Sequence, residues 1–77
     1  MHFVLNGQTR EFEQLAPGAN LQDLIAELGL KGDRVAIEHN GNIVSRAEWA
    51  DTRLAEGDRL EIVHFVGGGR AAESSLE

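Results

Sequence analysis

The sequence predicts an α+β domain of two layers, with one main helix on one face of a mixed sheet of about five short strands. Three observations predict it. An apolar stripe of helical period runs through Leu21, Leu24, Ile25 and Leu28. Strand-like runs lie on both sides of that stripe, and two pairs of them are joined by Asn-Gly. The chain has 77 residues, 42% of them hydrophobic, enough for one core and too few for two.

Each element has its own signal. His2 to Leu5 is a short apolar strand, Asn6-Gly7 is a tight turn, and residues 8–13 return with alternating polarity. Pro17-Gly18 breaks the strand pattern, and Asn20 is placed to cap a helix with Asp23 in its first turn. Gly29 follows the last stripe residue and predicts the stop. After the polar link of residues 31–34, residues 35–39 read as a strand, Asn40-Gly41 as a second turn, and residues 42–45 as the returning strand. Residues 46–51 suit one helical turn that holds Trp49 against the core, since a lone large aromatic is more often core than binding surface. Glu56-Gly57-Asp58 is a turn, and residues 59–66 form the last strand, the richest in β-branched and aromatic side chains. Leu60 and Ile62 fall on one face of it, with Glu61, Val63 and Phe65 on the other. The order β-β-α-β-β-β, with a single helix to cover a sheet, predicts a β-grasp arrangement over residues 1–66.

Composition excludes several functions. Seven Lys and Arg against thirteen Asp and Glu give a net charge of −6. With no basic run, nucleic acid is not an expected partner. The absence of cysteine rules out disulfides, thiolate metal sites and a Cys nucleophile. No apolar run exceeds three residues, so neither a membrane span nor a secretory segment is expected, and the expected location is the cytoplasm.

Gly67-Gly68-Gly69 directly follows the last expected strand. Taken alone, such a triplet reads as a flexible linker. At the end of a strand it also suits entry into a narrow channel, because no Cβ obstructs it, and three extended residues reach about 10 Å. In this context the chain resembles the ThiS family, ubiquitin-like sulfur carriers of thiamin biosynthesis. The resemblance rests on Asn6-Gly7, residues 21–25, 35–41 and 44–49, Glu56-Gly57-Asp58-Arg59-Leu60-Glu61-Ile62-Val63, and the closing Val66-Gly67-Gly68-Gly69. The segment from Arg46 to Trp49 favours this family over the related small subunit of molybdopterin synthase, which stays as an alternative.

The resemblance implies a carrier, acted on by enzymes and not itself one. An E1-like adenylyltransferase of the ThiF type, using Mg-ATP, would adenylate the carboxylate of Gly69, and sulfur would then displace AMP to leave a thiocarboxylate. A ThiG-type thiazole synthase would take that sulfur into the thiazole ring. Gly67, Gly68 and Gly69 would form the tail that enters the partner channel, and this chain would bind no cofactor. The sequence departs from the family pattern after Gly69, continuing through residues 70–77. Three explanations compete: an extension removed by a processing protease, a cloning remnant, or a copy that no longer acts as a carrier. The favoured one is a native extension over residues 70–75, with Leu76-Glu77 as a cloning remnant.

Remaining candidates are weighed against plainer roles. Val63 and Phe65 lie beside the tail and form either a docking patch for the partner enzymes or a minor cluster with Val4 or Val44. His2, His39 and His64 are far apart in sequence. A His2–His64 metal pair would lack a third ligand, so exposed strand histidines are expected and no metal site. Glu11, Glu13, Glu56, Asp58 and Glu61 read as the polar face of a half-exposed sheet, not as paired catalytic acids. A regulatory or nucleotide-associated docking module would need its basic residues on one face, whereas Arg10, Lys31, Arg34, Arg46, Arg53 and Arg59 are scattered along the chain.

Overall fold

The helix forms where the sequence caps it. In the computed structural model, which describes residues 1–65, α1 spans Leu21–Leu28. Asn20 Oδ1 accepts the Asp23 N–H at 2.9 Å, and the Asp23 carboxylate accepts the Asn20 N–H at 2.9 Å. The Asn20 amide also donates to the Ala50 carbonyl at 3.1 Å, which ties the helix start to the segment below it. At the other end Gly29 adopts a left-handed φ of 73°, and its N–H reaches the carbonyls of Ala26 and Ile25. Leu21, Leu24 and Ile25 are buried, each contributing about 2 kcal/mol of hydrophobic stabilisation.

The strands are β1 (His2–Leu5), β2 (Gln8–Glu11), β3 (Val35–His39), β4 (Asn42–Val44) and β5 (Arg59–His64). They form one mixed sheet of order β2-β1-β5-β3-β4. β1 and β5 run parallel, and the other neighbours are antiparallel. The β-grasp expectation is therefore met. Both hairpins turn on Asn-Gly with positive φ at each central residue: 50° and 85° at Asn6 and Gly7, 52° and 91° at Asn40 and Gly41. One face of the sheet supplies Phe3, Leu5, Ile37, Leu60 and Ile62 to the core against α1.

The structure departs from the sequence expectation in several places, and β4 ends at Val44, one residue early. β2 ends at Glu11, because Phe12 turns into the core and packs on Phe3 with ring centroids 5.5 Å apart. The polar link before β3 is a 3₁₀ turn over Gly32–Arg34. β5 is described to His64, and Val66, the expected end of the strand, lies outside the described residues, as do the expected tail at 67–69 and the extension at 70–77. The turn at Arg46–Asp51 is also 3₁₀, and it buries Trp49 to 1% exposure. The indole N–H donates to the Val44 carbonyl at 3.1 Å, so the ring enters the core with its polar atom satisfied.

Asn20 joins three bonds at one cap, so Asn20→Ala should lower stability by about 1–2 kcal/mol. Urea unfolding followed by Trp49 fluorescence checks this. An unchanged midpoint would mean that the cap is not limiting.

Candidate functional site

The strand that leads to the glycines is the central one. β5 lies between β1 and β3 and is bonded to both, and it ends at His64, from which Phe65 and Val66 lead in sequence to Gly67. Two polar side chains fix its position. Asn6 Oδ1 accepts the Ile62 N–H at 2.8 Å and its amide donates to the Ile62 carbonyl at 3.4 Å, extending the β1–β5 ladder beyond the end of β1. At the start of β5, Asp58 binds the β3–β4 turn: His39 Nε2 lies 2.8 Å from Oδ2, and the Asn40 amide donates to Oδ1 at 3.2 Å. The Ala55 N–H donates to the same carboxylate at 2.8 Å. Phe65, just past β5, donates its N–H to the Arg34 carbonyl at 2.7 Å, so the 3₁₀ turn holds the base of the tail.

Burial pulls the Asp58 carboxyl upward, but the hydrogen bonds from His39, Ala55 and Asn40 and the charge of His39 outweigh it, holding the group below its ordinary value. Glu56 is held low as well, first by its hydrogen bond with the His2 ring and then by the His2 backbone N–H.

The outer face of the sheet is the candidate docking surface. Val63 sits there opposite Ala36, half-buried. Phe65 is also half-buried. Neither is among the side chains packed on the core, which include Val44. That corrects one expectation: Val44 pairs with Ile37 and packs inward, so it cannot share a cluster with Val63 on the outer face. Glu38 and Glu61 oppose each other beside Val63, lining a shallow depression of about 420 Å³ with Asn40, Gly41 and Arg59. Ile43, across from Glu38 on the edge strand, is 75% exposed. Sequence reasoning missed Ile43, although a strand with adjacent Ile43 and Val44 must turn one of them outward.

The histidines do not converge. His2 lies at the start of β1 and its carbonyl accepts the Gly57 N–H at 2.9 Å, whereas His64 ends β5 at the opposite end of the sheet. The His2 ring sits between Glu11 and Glu56, 2.7 Å from each. Among the described residues no group of three or more side chains is placed to hold a metal ion. No helix among them is long and apolar enough to cross a membrane. The basic residues are less scattered than the sequence suggests: Lys31 and Arg34 flank Gly32, and Arg46 packs against Gly32 from the neighbouring turn.

The ThiS family model matches residues 3–69, which covers the described sheet and helix and ends on the third glycine. The chain belongs to the ThiS family. The sulfur carrier protein ThiS of Bacillus subtilis is 35% identical over 65 residues, covering 84% of this chain and 96% of that protein. A thiazole synthase of Paramagnetospirillum magneticum is 39% identical over 69 residues, covering 90% of this chain, and the chain spans 20% of that protein's length. Among solved structures, the thiamine biosynthesis protein ThiS of Geobacter metallireducens superposes with a TM-score of 0.76 at 28% identity, covering 90% of this chain and all of that one.

Asp58 also gives a pH prediction. A carboxyl held below its unfolded value of ~3.9 stabilises the fold above that pH, and the contribution is lost as pH falls through the folded value. Asp58→Asn should cost roughly 1–2 kcal/mol at pH 7, and should lose less stability than the parent between pH 7 and pH 3. Urea midpoints at the two pH values check this. Parallel losses in both proteins would show that Asp58 carries no pH dependence.

Proposed function

We propose that this chain is a sulfur carrier of thiamin biosynthesis whose working end is the carboxylate of Gly69 once that residue is terminal. The observation that carries the reading is the family match through Gly69, at the end of a chain segment that leaves the central strand of the sheet. A carboxylate is a poor electrophile. Adenylation with Mg-ATP by an E1-like, ThiF-type enzyme releases pyrophosphate and leaves a mixed anhydride. A sulfur nucleophile then forms the C–S bond as AMP leaves, giving the thiocarboxylate. Gly67, Gly68 and Gly69 carry no side chain to hinder passage into an active site, and the reading asks for no catalytic group on this chain.

A thiazole synthase is the acceptor in this reading. Supporting it is the Paramagnetospirillum relative, a thiazole synthase with a stretch like this chain within its own length. Val63 and Phe65, together with exposed Ile43, offer the enzymes an apolar contact on the outer face. While residues 70–77 remain attached, Gly69 is an internal peptide with no carboxylate to activate, and a processing protease would have to expose it.

Two measurements test this. Intact-mass spectrometry after incubation with a ThiF-type enzyme, Mg-ATP and sulfide should show sulfur replacing oxygen in the chain ending at Gly69 and no change in the full-length chain. Gly69→Ala in the shorter chain should largely block the exchange without loss of folding. Absence of exchange in the shorter chain with an active enzyme sinks the carrier reading. Separately, Val63→Asp or Ile43→Asp should weaken enzyme binding at a stability cost of about 1 kcal/mol or less, whereas Leu60→Asp, buried in the core, should unfold the domain. Equal destabilisation by all three would remove the outer face as a docking surface.

A further inference from the structure

We propose that Lys31, Arg34 and Arg46, with the His64 ring beside them, form a cationic collar next to the residue that follows β5, and that it docks on a carboxylate-rich surface around the channel mouth of the thiazole synthase. The inference rests on the carrier reading above and adds to it the surface chemistry of the partner. The chain carries a net charge of −6, yet Lys31, Arg34 and Arg46 gather at one turn and outnumber its single carboxylate, Asp33. Lys31 and Arg34 flank Gly32 in sequence. A Cβ at Gly32 would lie 3.2 Å from Arg46 Nε and 3.1 Å from the Trp49 ring, so the absence of a side chain at Gly32 is what lets the Arg46 side chain lie against this turn. His64 comes to the same place through the sheet, opposite Val35 in the β3–β5 register. Lys31, Arg34 and His64 line an open cavity of about 390 Å³ with Gly29 and Leu30.

Among the described residues no carboxylate lies within 4.0 Å of Lys31, Arg34, Arg46 or His64, although the N-terminus, His2 and His39 all have acidic partners. The turn is also bonded to the residue that follows β5, since the Phe65 N–H donates to the Arg34 carbonyl. Position then selects the ligand. From Phe65 to Gly69 is four residues, which span at most about 14 Å. With the tail threaded into an active site, the collar would stand at most that far behind the reacting carboxylate, at the mouth. A rim of opposite charge there would steer the tail toward its channel and raise the association rate.

The test compares two charge reversals of equal size, Lys31→Glu with Arg34→Glu, and Arg10→Glu with Arg53→Glu, in the full-length chain and in the chain ending at Gly69. Far-ultraviolet circular dichroism first establishes that both variants are folded. Stopped-flow association with the thiazole synthase of the same organism is measured at 50 and 300 mM NaCl. The collar variant should associate roughly tenfold more slowly at the lower salt, with a flattened salt dependence, while the control changes by about twofold or less. Equal slowing in the two variants overturns the collar and leaves the carrier reading intact. Slowing confined to the ThiF-type enzyme also overturns it. ATP or inorganic phosphate binding to the chain alone, abolished in the collar variant, would make the cluster an anion site instead. Failure of the parent chain to bind the synthase at either salt overturns the collar together with the carrier–synthase reading, and the mass-spectrometric exchange shows separately whether the tail is activated.

Discussion

The fold depends on one pairing constraint: the last strand of the chain is the middle strand of the sheet. β1 and β2 form one hairpin, β3 and β4 another, and β5 joins the two. Each hairpin is local and turns on Asn-Gly, but neither can bury its apolar face alone. Insertion of β5 brings Leu60 and Ile62 between Leu5 and Ile37 and closes the core under α1. The segment after β5 therefore emerges from a strand bonded on both sides. The chain end proposed to be handed to another protein thus follows a strand bonded on both sides.

That constraint explains the polar residues around β5. A parallel pair as short as β1–β5 leaves backbone groups of the longer strand without a ladder partner, and an unpaired buried group costs about 1–3 kcal/mol. Asn6 supplies the missing partners for Ile62 from its side chain. At the other end Asp58 accepts from His39, Asn40 and Ala55, so the β3–β4 turn and the loop before β5 are fixed to each other. The Asn40 carbonyl oxygen of the side chain in turn accepts the Arg59 N–H at 2.8 Å. The two Asn-Gly turns thus do more than reverse the chain, since each Asn also binds the backbone of β5.

Much of this was legible in the sequence, for physical reasons that differ by element. α1 was readable to the residue because its cap, its stripe and its glycine stop are all local signals. Trp49 was readable as core because so large an apolar surface is seldom left in water. The end of β2 was not, since Phe12 leaves the strand to meet Phe3, a tertiary contact that alternation alone does not reveal. Val63 was placed on the outer face by parity, but Val44 was not, because its inward direction follows from the register with Ile37. The clustering of Lys31, Arg34 and Arg46 was invisible for a similar reason: Arg46 is twelve residues or more from the others, and only the packing of the Trp49 turn on Gly32 brings it there. The glycines that identify the tail were plain in sequence and lie outside the described residues.

The distribution of charge completes the physical picture of a carrier. Glu38 and Glu61 oppose each other on the outer face, an arrangement that costs stability in the free protein because like charges face directly across two strands. Lys31, Arg34 and Arg46 gather at the 3₁₀ turn before β3, and among the described residues none of them lies within 4.0 Å of a carboxylate. A domain selected for stability alone would have no reason to keep both, since exchanging one member of each group would relieve both repulsions. Each group is instead open to an external surface of opposite sign, the glutamates across β3 and β5 and the cations at the turn that bonds the residue after β5. Such a layout would fix the orientation in which the proposed partner meets the domain, and the proposed carrier role depends on the chain end being presented in the right direction.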